Sequence, residues 1–135
     1  MELLSGSFGF ALAALAFTAA LVATAGYGVS LRGGAEERGW RRIGRTAFLT
    51  HAGALTGVIG VLLGLIFTRQ YEYHYVWSHA SNELPLHFML ASLWEGQEGS
   101  FLIWMFWHAL LGSVVLWRAP LAWRPAVMTV VSSVQ

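Results

Sequence analysis

Trp94-Glu95-Gly96-Gln97-Glu98-Gly99-Ser100-Phe101-Leu102-Ile103-Trp104-Met105-Phe106-Trp107 carries a polar, glycine-punctuated turn straight into an aromatic, apolar helix. Two glycines punctuate a run of two carboxylates and an amide, while Trp94, Trp104 and Trp107 supply large rings with one polar edge. Such rings settle where hydrocarbon meets water, so the turn marks a membrane surface and the run after Ser100 a crossing. Composition agrees. The chain is 56% hydrophobic, 14% aromatic and only 11% charged, with a mean hydropathy of +0.57, and an ordinary soluble domain needs more charge. The expected fold is an all-α integral membrane protein. Three complete transmembrane helices and the start of a fourth form one helical unit over residues 1–135, with an external loop carrying a short interfacial helix.

Outward from the turn, the third span covers residues 101–117, with Ser100 as its N-cap and Arg118 marking the opposite surface. Trp104, His108 and Leu111 share one of its faces. After a short turn with Pro120, a partial fourth span covers residues 125–135, about half the length a crossing needs. Before the turn, residues 69–100 form an acidic loop containing Glu72, Glu83, Glu95 and Glu98. Its alternating aromatic and polar residues 71–79 suggest an extended segment at headgroup level. Ser81 and Asn82 precede Pro85 and a short helix over 84–94, too short to cross.

The first span, residues 5–30, holds no charge between Phe8 and Val29. Ala23-Thr24-Ala25 resembles a signal-peptide cleavage site, but Glu2 without a preceding Lys or Arg argues for a retained helix. Ala13, Ala16 and Ala20 would let a neighbouring helix approach closely. Residues 31–45 are the basic loop, with Arg32, Arg38, Arg41, Arg42 and Arg45. Membrane topology accounts for these arginines and places that loop in the cytoplasm, with the N-terminus and loop 69–100 outside. The second span, 46–68, places Gly53, Gly57, Gly60 and Gly64 on one face for helix packing.

Candidate chemistry is sparse. With no cysteine, disulfides, thiolate metal sites and thiol nucleophiles are excluded. A formal net charge of +1 argues against a nucleic-acid partner. His51 and His108 lie within spans, where a histidine is a functional candidate, and they are the candidate metal or haem-iron ligands. At about 1.5 Å of rise per residue they fall at different depths, which disfavours one iron clamped by both. Glu72, His74, His79 and His87 match no compact zinc motif.

The run Tyr75-Val76-Trp77-Ser78-His79-Ala80-Ser81-Asn82-Glu83-Leu84-Pro85, followed by Ala91-Ser92-Leu93-Trp94 and Glu95 to Trp104, resembles the N-terminal region of CcmF-type cytochrome c haem lyases. Glu95 departs from the small residue usual there. The resemblance implies a bacterial-type cytoplasmic membrane protein of cytochrome c maturation. On it, Asn82, Pro85, Trp94, Gly96, Gln97, Glu98, Gly99, Ser100 and Trp104 are motif or haem-proximal positions, and none is catalytic. Family members are much longer, with their tryptophan-rich motif and haem-ligand histidines further downstream. The implied role is therefore an N-terminal fragment or split subunit of the lyase, not catalytic alone. Haem would be held by the larger assembly, and partners would be the rest of the lyase, a haem chaperone, apocytochrome c and the lipid bilayer. The alternative is a small structural subunit of a membrane respiratory or transport complex. An autonomous haem or quinone carrier would need an internal ligand pair that the depth count disfavours.

Overall fold

The computed structural model describes residues 2–79 and 81–135, apart from the side chains of residues 2–5. Ala80, inside the motif quoted above, and Met1 lie outside the described residues. The fold is all-helical. Six helices follow in order among the described residues: α1 (Glu2–Ser30), α2 (Glu37–Phe67), α3 (His74–His79), α4 (Leu86–Ala91), α5 (Gln97–Arg118) and α6 (Arg124–Ser133). Three of them, over Gly6–Ser30, Glu37–Phe67 and Gln97–Arg118, are long and apolar enough to cross a membrane, and this is a membrane protein.

Helix α2 has 31 residues, about 46 Å at the standard rise and more than a bilayer core of ~30 Å requires. Its first turns therefore carry Arg38, Arg41 and Arg42 beyond the apolar span, with Arg41 paired to Glu37 one turn back. Gly33 (φ 70°) and Gly34 (φ 107°) make the turn from α1, in the left-handed region that glycine enters freely. At its other end α2 stops in a Schellman arrangement, with Gln70 N–H donating to Leu65 O and Arg69 N–H to Ile66 O. Arg69 (φ 54°) takes the left-handed position usually given to glycine.

Helix α1 packs along α2, α6 closes against α1 and α5, and α5 crosses α2. Close approach is set by small residues. A Cβ on Gly26 would strike the backbone of Gly44, one on Gly44 the ring of Tyr27, and one on Gly112 the ring of Phe48. Ala16 and Ala20 are buried in the α1 contact, whereas Ala13 is exposed. Around these contacts Ala23, Tyr27, Phe48, Leu116 and Met128 form one apolar cluster. Leu65, Ile66, Val76, Met89 and Leu93 form a second under the loop that follows α2. Hydroxyls in the apolar helices bond back to their own helix, as Thr18 Oγ1 to Ala14 O (2.8 Å) and Thr24 Oγ1 to Ala20 O (2.9 Å). In hydrocarbon no water is present to serve them.

Two local expectations are corrected. Residues 74–79 are helical rather than extended, because Tyr75 and His79 stack one turn apart at 4.5 Å between ring centroids. The N-cap of α5 is Gly96, not Ser100, and the Ser100 hydroxyl donates instead to Trp94 O at 2.8 Å. In the glycine row of α2, Gly57 meets another helix, at Leu12 of α1. Among the described residues a Cβ on Gly53, Gly60 or Gly64 would meet no neighbour, so these three positions are open to a further helix.

Candidate functional site

The loop between α2 and α5 folds into a cap organised by one side chain, Tyr75. Its hydroxyl donates toward Ser92 O (3.0 Å) and Leu93 O (2.9 Å), carbonyls left free where α4 ends. The backbone N–H of Gly96 lies beside the same oxygen. Burial raises the Tyr75 pKa above the ordinary tyrosine value; the Gly96 N–H works against this, and the Glu98 and Glu95 carboxylates add to it.

The two motif glycines are explained by this tyrosine. A Cβ on Gly96 would press on the Tyr75 ring and on His79 Nε2, and one on Gly99 would collide with the Leu93 carbonyl and the Tyr75 hydroxyl. Gly96 has an ordinary extended backbone (φ −82°, ψ 159°). The motif thus needs glycine for room, because Tyr75 and the Leu93 carbonyl approach so closely. Glu98 sits in the first turn of α5, where a negative charge suits the helix dipole, yet no side chain caps that end by hydrogen bonding.

His79 is oriented rather than free to spin. Its Nδ1 lies 3.0 Å from Tyr75 O and 2.7 Å from Ser78 Oγ, and its ring stacks on Tyr75. Because a carbonyl only accepts, Nδ1 carries a proton and donates it to Tyr75 O. Asn82 Oδ1 accepts from the Tyr71 hydroxyl at 2.8 Å, pinning the loop before α4 to the end of α2.

Between α3, α4 and the turn lies a cleft of about 810 Å³, with His79, Pro85, Phe88 and Trp94 among its walls and Glu83 and Glu95 at its edge. That volume lies in the range of small-molecule and cofactor clefts, ~300–1,000 Å³. Trp94, 54% exposed, is shared with a second cleft of about 430 Å³ that runs down α5 past Ser100, Ile103, Trp104 and Trp107. Trp94 is the ridge between a mixed polar cleft in the cap and an aromatic one along the span. Pro85, Trp94, Ser100 and Trp104 therefore meet around these clefts, Gly96 and Gly99 support them from below, and Gln97 and Glu98 are exposed beside them.

The span histidines are kept apart. His51 is 1% exposed; its Nδ1 is 2.9 Å from Ala16 O and its Nε2 3.0 Å from the Gln135 side-chain oxygen. Ala16 O can only accept, so Nδ1–H donates, and the neutral ring's Nε2 then suits the Gln135 amide NH₂. That NH₂ group is buried without a partner in the orientation shown, and half a turn of the amide supplies the pairing. Both ring nitrogens of His51 serve helix contacts. His108 lies on the outward face of α5 with Trp104, Trp107 and Leu111. Among the described residues no three His, Asp or Glu side chains gather as a metal site.

Sequence reading gave Tyr75 and Ser92 no role of their own and weighed His79 only as a zinc ligand. The i, i+4 spacing of Tyr75 and His79 was the available signal, hidden because aromatic and polar residues also alternate there.

The site defines a helical membrane protein with an aromatic cleft at one surface. Over 69 residues, 51% of its length, the chain is 36% identical to the cytochrome c-type biogenesis protein NrfE of Haemophilus influenzae. That stretch is 10% of NrfE, so the chain spans about a tenth of this relative. No family model and no solved structure matches the chain.

Proposed function

We propose that this chain acts in cytochrome c biogenesis, as the N-terminal part or a split subunit of a membrane haem lyase, supplying scaffold and an external docking surface. The observation that carries the reading is the pair of clefts meeting at Trp94, where the motif glycines seat Tyr75 and His79; the similarity to NrfE gives it a biochemical setting. Haem is the substrate. Trp94, Phe88 and Pro85 offer apolar and aromatic surface for a flat macrocycle, while Glu83 and Glu95 would turn propionates away toward a basic partner. The arginine-bearing end faces the cytoplasm and residues 69–100 the periplasm. Cysteines placed at Gly34 and Glu83 should then label from opposite sides of the membrane, and labelling of both by one impermeant reagent in intact cells overturns this orientation.

The lyase role is tested by haem attachment to an apocytochrome Cys-x-x-Cys-His segment in membranes containing the chain and its co-purifying partners. Trp94→Ala should lower attachment several-fold at unchanged protein level. Attachment that is indifferent to Trp94→Ala and to loss of the chain refutes the role. The open row Gly53, Gly60 and Gly64 supports a second reading, a structural subunit that packs this face against another membrane chain. Crosslinks from Gly60 to respiratory or transport subunits, without effect on attachment, would select it.

A further inference from the structure

At the basic end of the bundle, α1, α2, α5 and α6 enclose a pocket of about 200 Å³ whose walls include Tyr27, Arg41, Arg42, Arg45, Leu116 and Arg124. Four cationic side chains converge there and, among the described residues, no carboxylate lines it. Three of the four have partners in this chain, two of them without a carboxylate: Arg124 donates through Nε (3.1 Å) and a terminal nitrogen (2.6 Å) to Ala119 O, and Arg45 lies 4.7 Å over the Trp117 ring. Arg41 gives one terminal nitrogen to Glu37, but its Nε is buried with no hydrogen-bond partner. Arg42 has no ion pair among the described residues.

The second observation is Tyr27. It is 2% exposed, and its hydroxyl is buried without a hydrogen-bond partner among the described residues. A buried unpaired hydroxyl is costly, and phenylalanine would fill the same space in the cluster of Phe48, Leu116 and Met128. What an unpaired Tyr O–H and an unpaired Arg Nε both lack is an acceptor. Beside uncompensated guanidinium groups, that acceptor is an anion able to take several N–H and O–H bonds at once.

We propose that this pocket binds a phosphate group. Its place beside the start of the apolar part of α2 sets it at headgroup depth, where the phosphodiester of an anionic phospholipid is the abundant source. The site is independent of the clefts at Trp94 and of the haem proposal. Positive charge for topology alone would make all the arginines equivalent. Arg32 and Arg38, in the same basic segment, do not line the pocket and so provide the control.

The test uses the purified, delipidated chain in neutral detergent, with native mass spectrometry against phosphatidylglycerol and against diacylglycerol, which has no phosphate. Inorganic phosphate is titrated separately by Trp117 fluorescence. One phosphatidylglycerol and no diacylglycerol should be retained per chain. Affinity should fall about tenfold or more in R42Q/R45Q, a few-fold in Tyr27→Phe, and not in Arg38→Gln. Tyr27→Phe keeps the apolar cluster, so its effect is not one of misfolding. Inorganic phosphate that displaces the lipid with the same variant dependence would keep the phosphate site and assign it a soluble source. Equal binding by Tyr27→Phe, R42Q/R45Q and Arg38→Gln overturns the proposal.

Discussion

The arginine end and the tryptophan end of the bundle each bury one apolar cluster, but they hold it differently. At the arginine end, Tyr27, Phe48, Leu116 and Met128 come from four long or docking helices and meet through side-chain packing over glycines. At the tryptophan end, Val76, Met89 and Leu93 come from two six-residue helices and the turn after them, too short to be stable alone. They are held by backbone carbonyls bonded to Tyr75 and by loop ties such as Asn82 to Tyr71. Packing between long helices tolerates adjustment of side chains. A cap hung on carbonyl contacts does not, and the sharpest sensitivity should lie at the tryptophan end.

A series of glycine-to-alanine changes tests that contrast directly. Gly99→Ala should be the most damaging, costing about 3 kcal/mol or more, because the new Cβ meets a backbone carbonyl that cannot rotate away. Gly112→Ala, meeting the Phe48 and Val131 side chains, should cost about 1–3 kcal/mol. Gly60→Ala meets nothing and gains helix propensity. Yields of folded protein and thermal unfolding in detergent would order them. Equal tolerance of Gly99→Ala and Gly60→Ala would break the comparison.

His51→Ala probes the arginine-end bundle from within. It leaves a cavity between α1, α2 and α6 and unpairs the Gln135 amide, for a cost of about 2–4 kcal/mol. Any haem-attachment activity should fall only in step with folded protein. A Soret band near one haem per chain that His51→Ala abolishes would instead make it an iron ligand.

The three crossings were legible because each carries an uninterrupted apolar run long enough for a bilayer, a property of composition that packing need not modify. The start of α2 at Glu37 was hidden, since its arginines mark a topological boundary and also make good helix formers. The motif from Trp94 to Ser100 stood out as a site, but the reason for its glycines did not. Their need for space depends on Tyr75, about twenty residues away in sequence, and no local pattern announces that contact. His51 looked like a ligand for the same reason any intramembrane histidine does; only its two partners, 35 and 84 residues away, reveal a helix tie.

The smallest expected effect is the pH response of the cap. Burial, with Glu98 and Glu95 nearby, raises the Tyr75 pKa in the folded chain above its unfolded value of about 10. The neutral hydroxyl is therefore bound more firmly in the folded state. Its contribution is complete below the unfolded pKa and is lost as pH rises through the folded one, since the unfolded chain gains by ionising first. Unfolding of the cap, followed by Trp94 fluorescence, should thus be flat from neutral pH to about 9.5 and become easier above it. Tyr75→Phe should cost about 1–2 kcal/mol at neutral pH by leaving the Ser92 and Leu93 carbonyls without the hydroxyl, and should remove this site's share of the alkaline step. An alkaline step of the same size in Tyr75→Phe would move the effect to another tyrosine and remove Tyr75 as the cap's anchor.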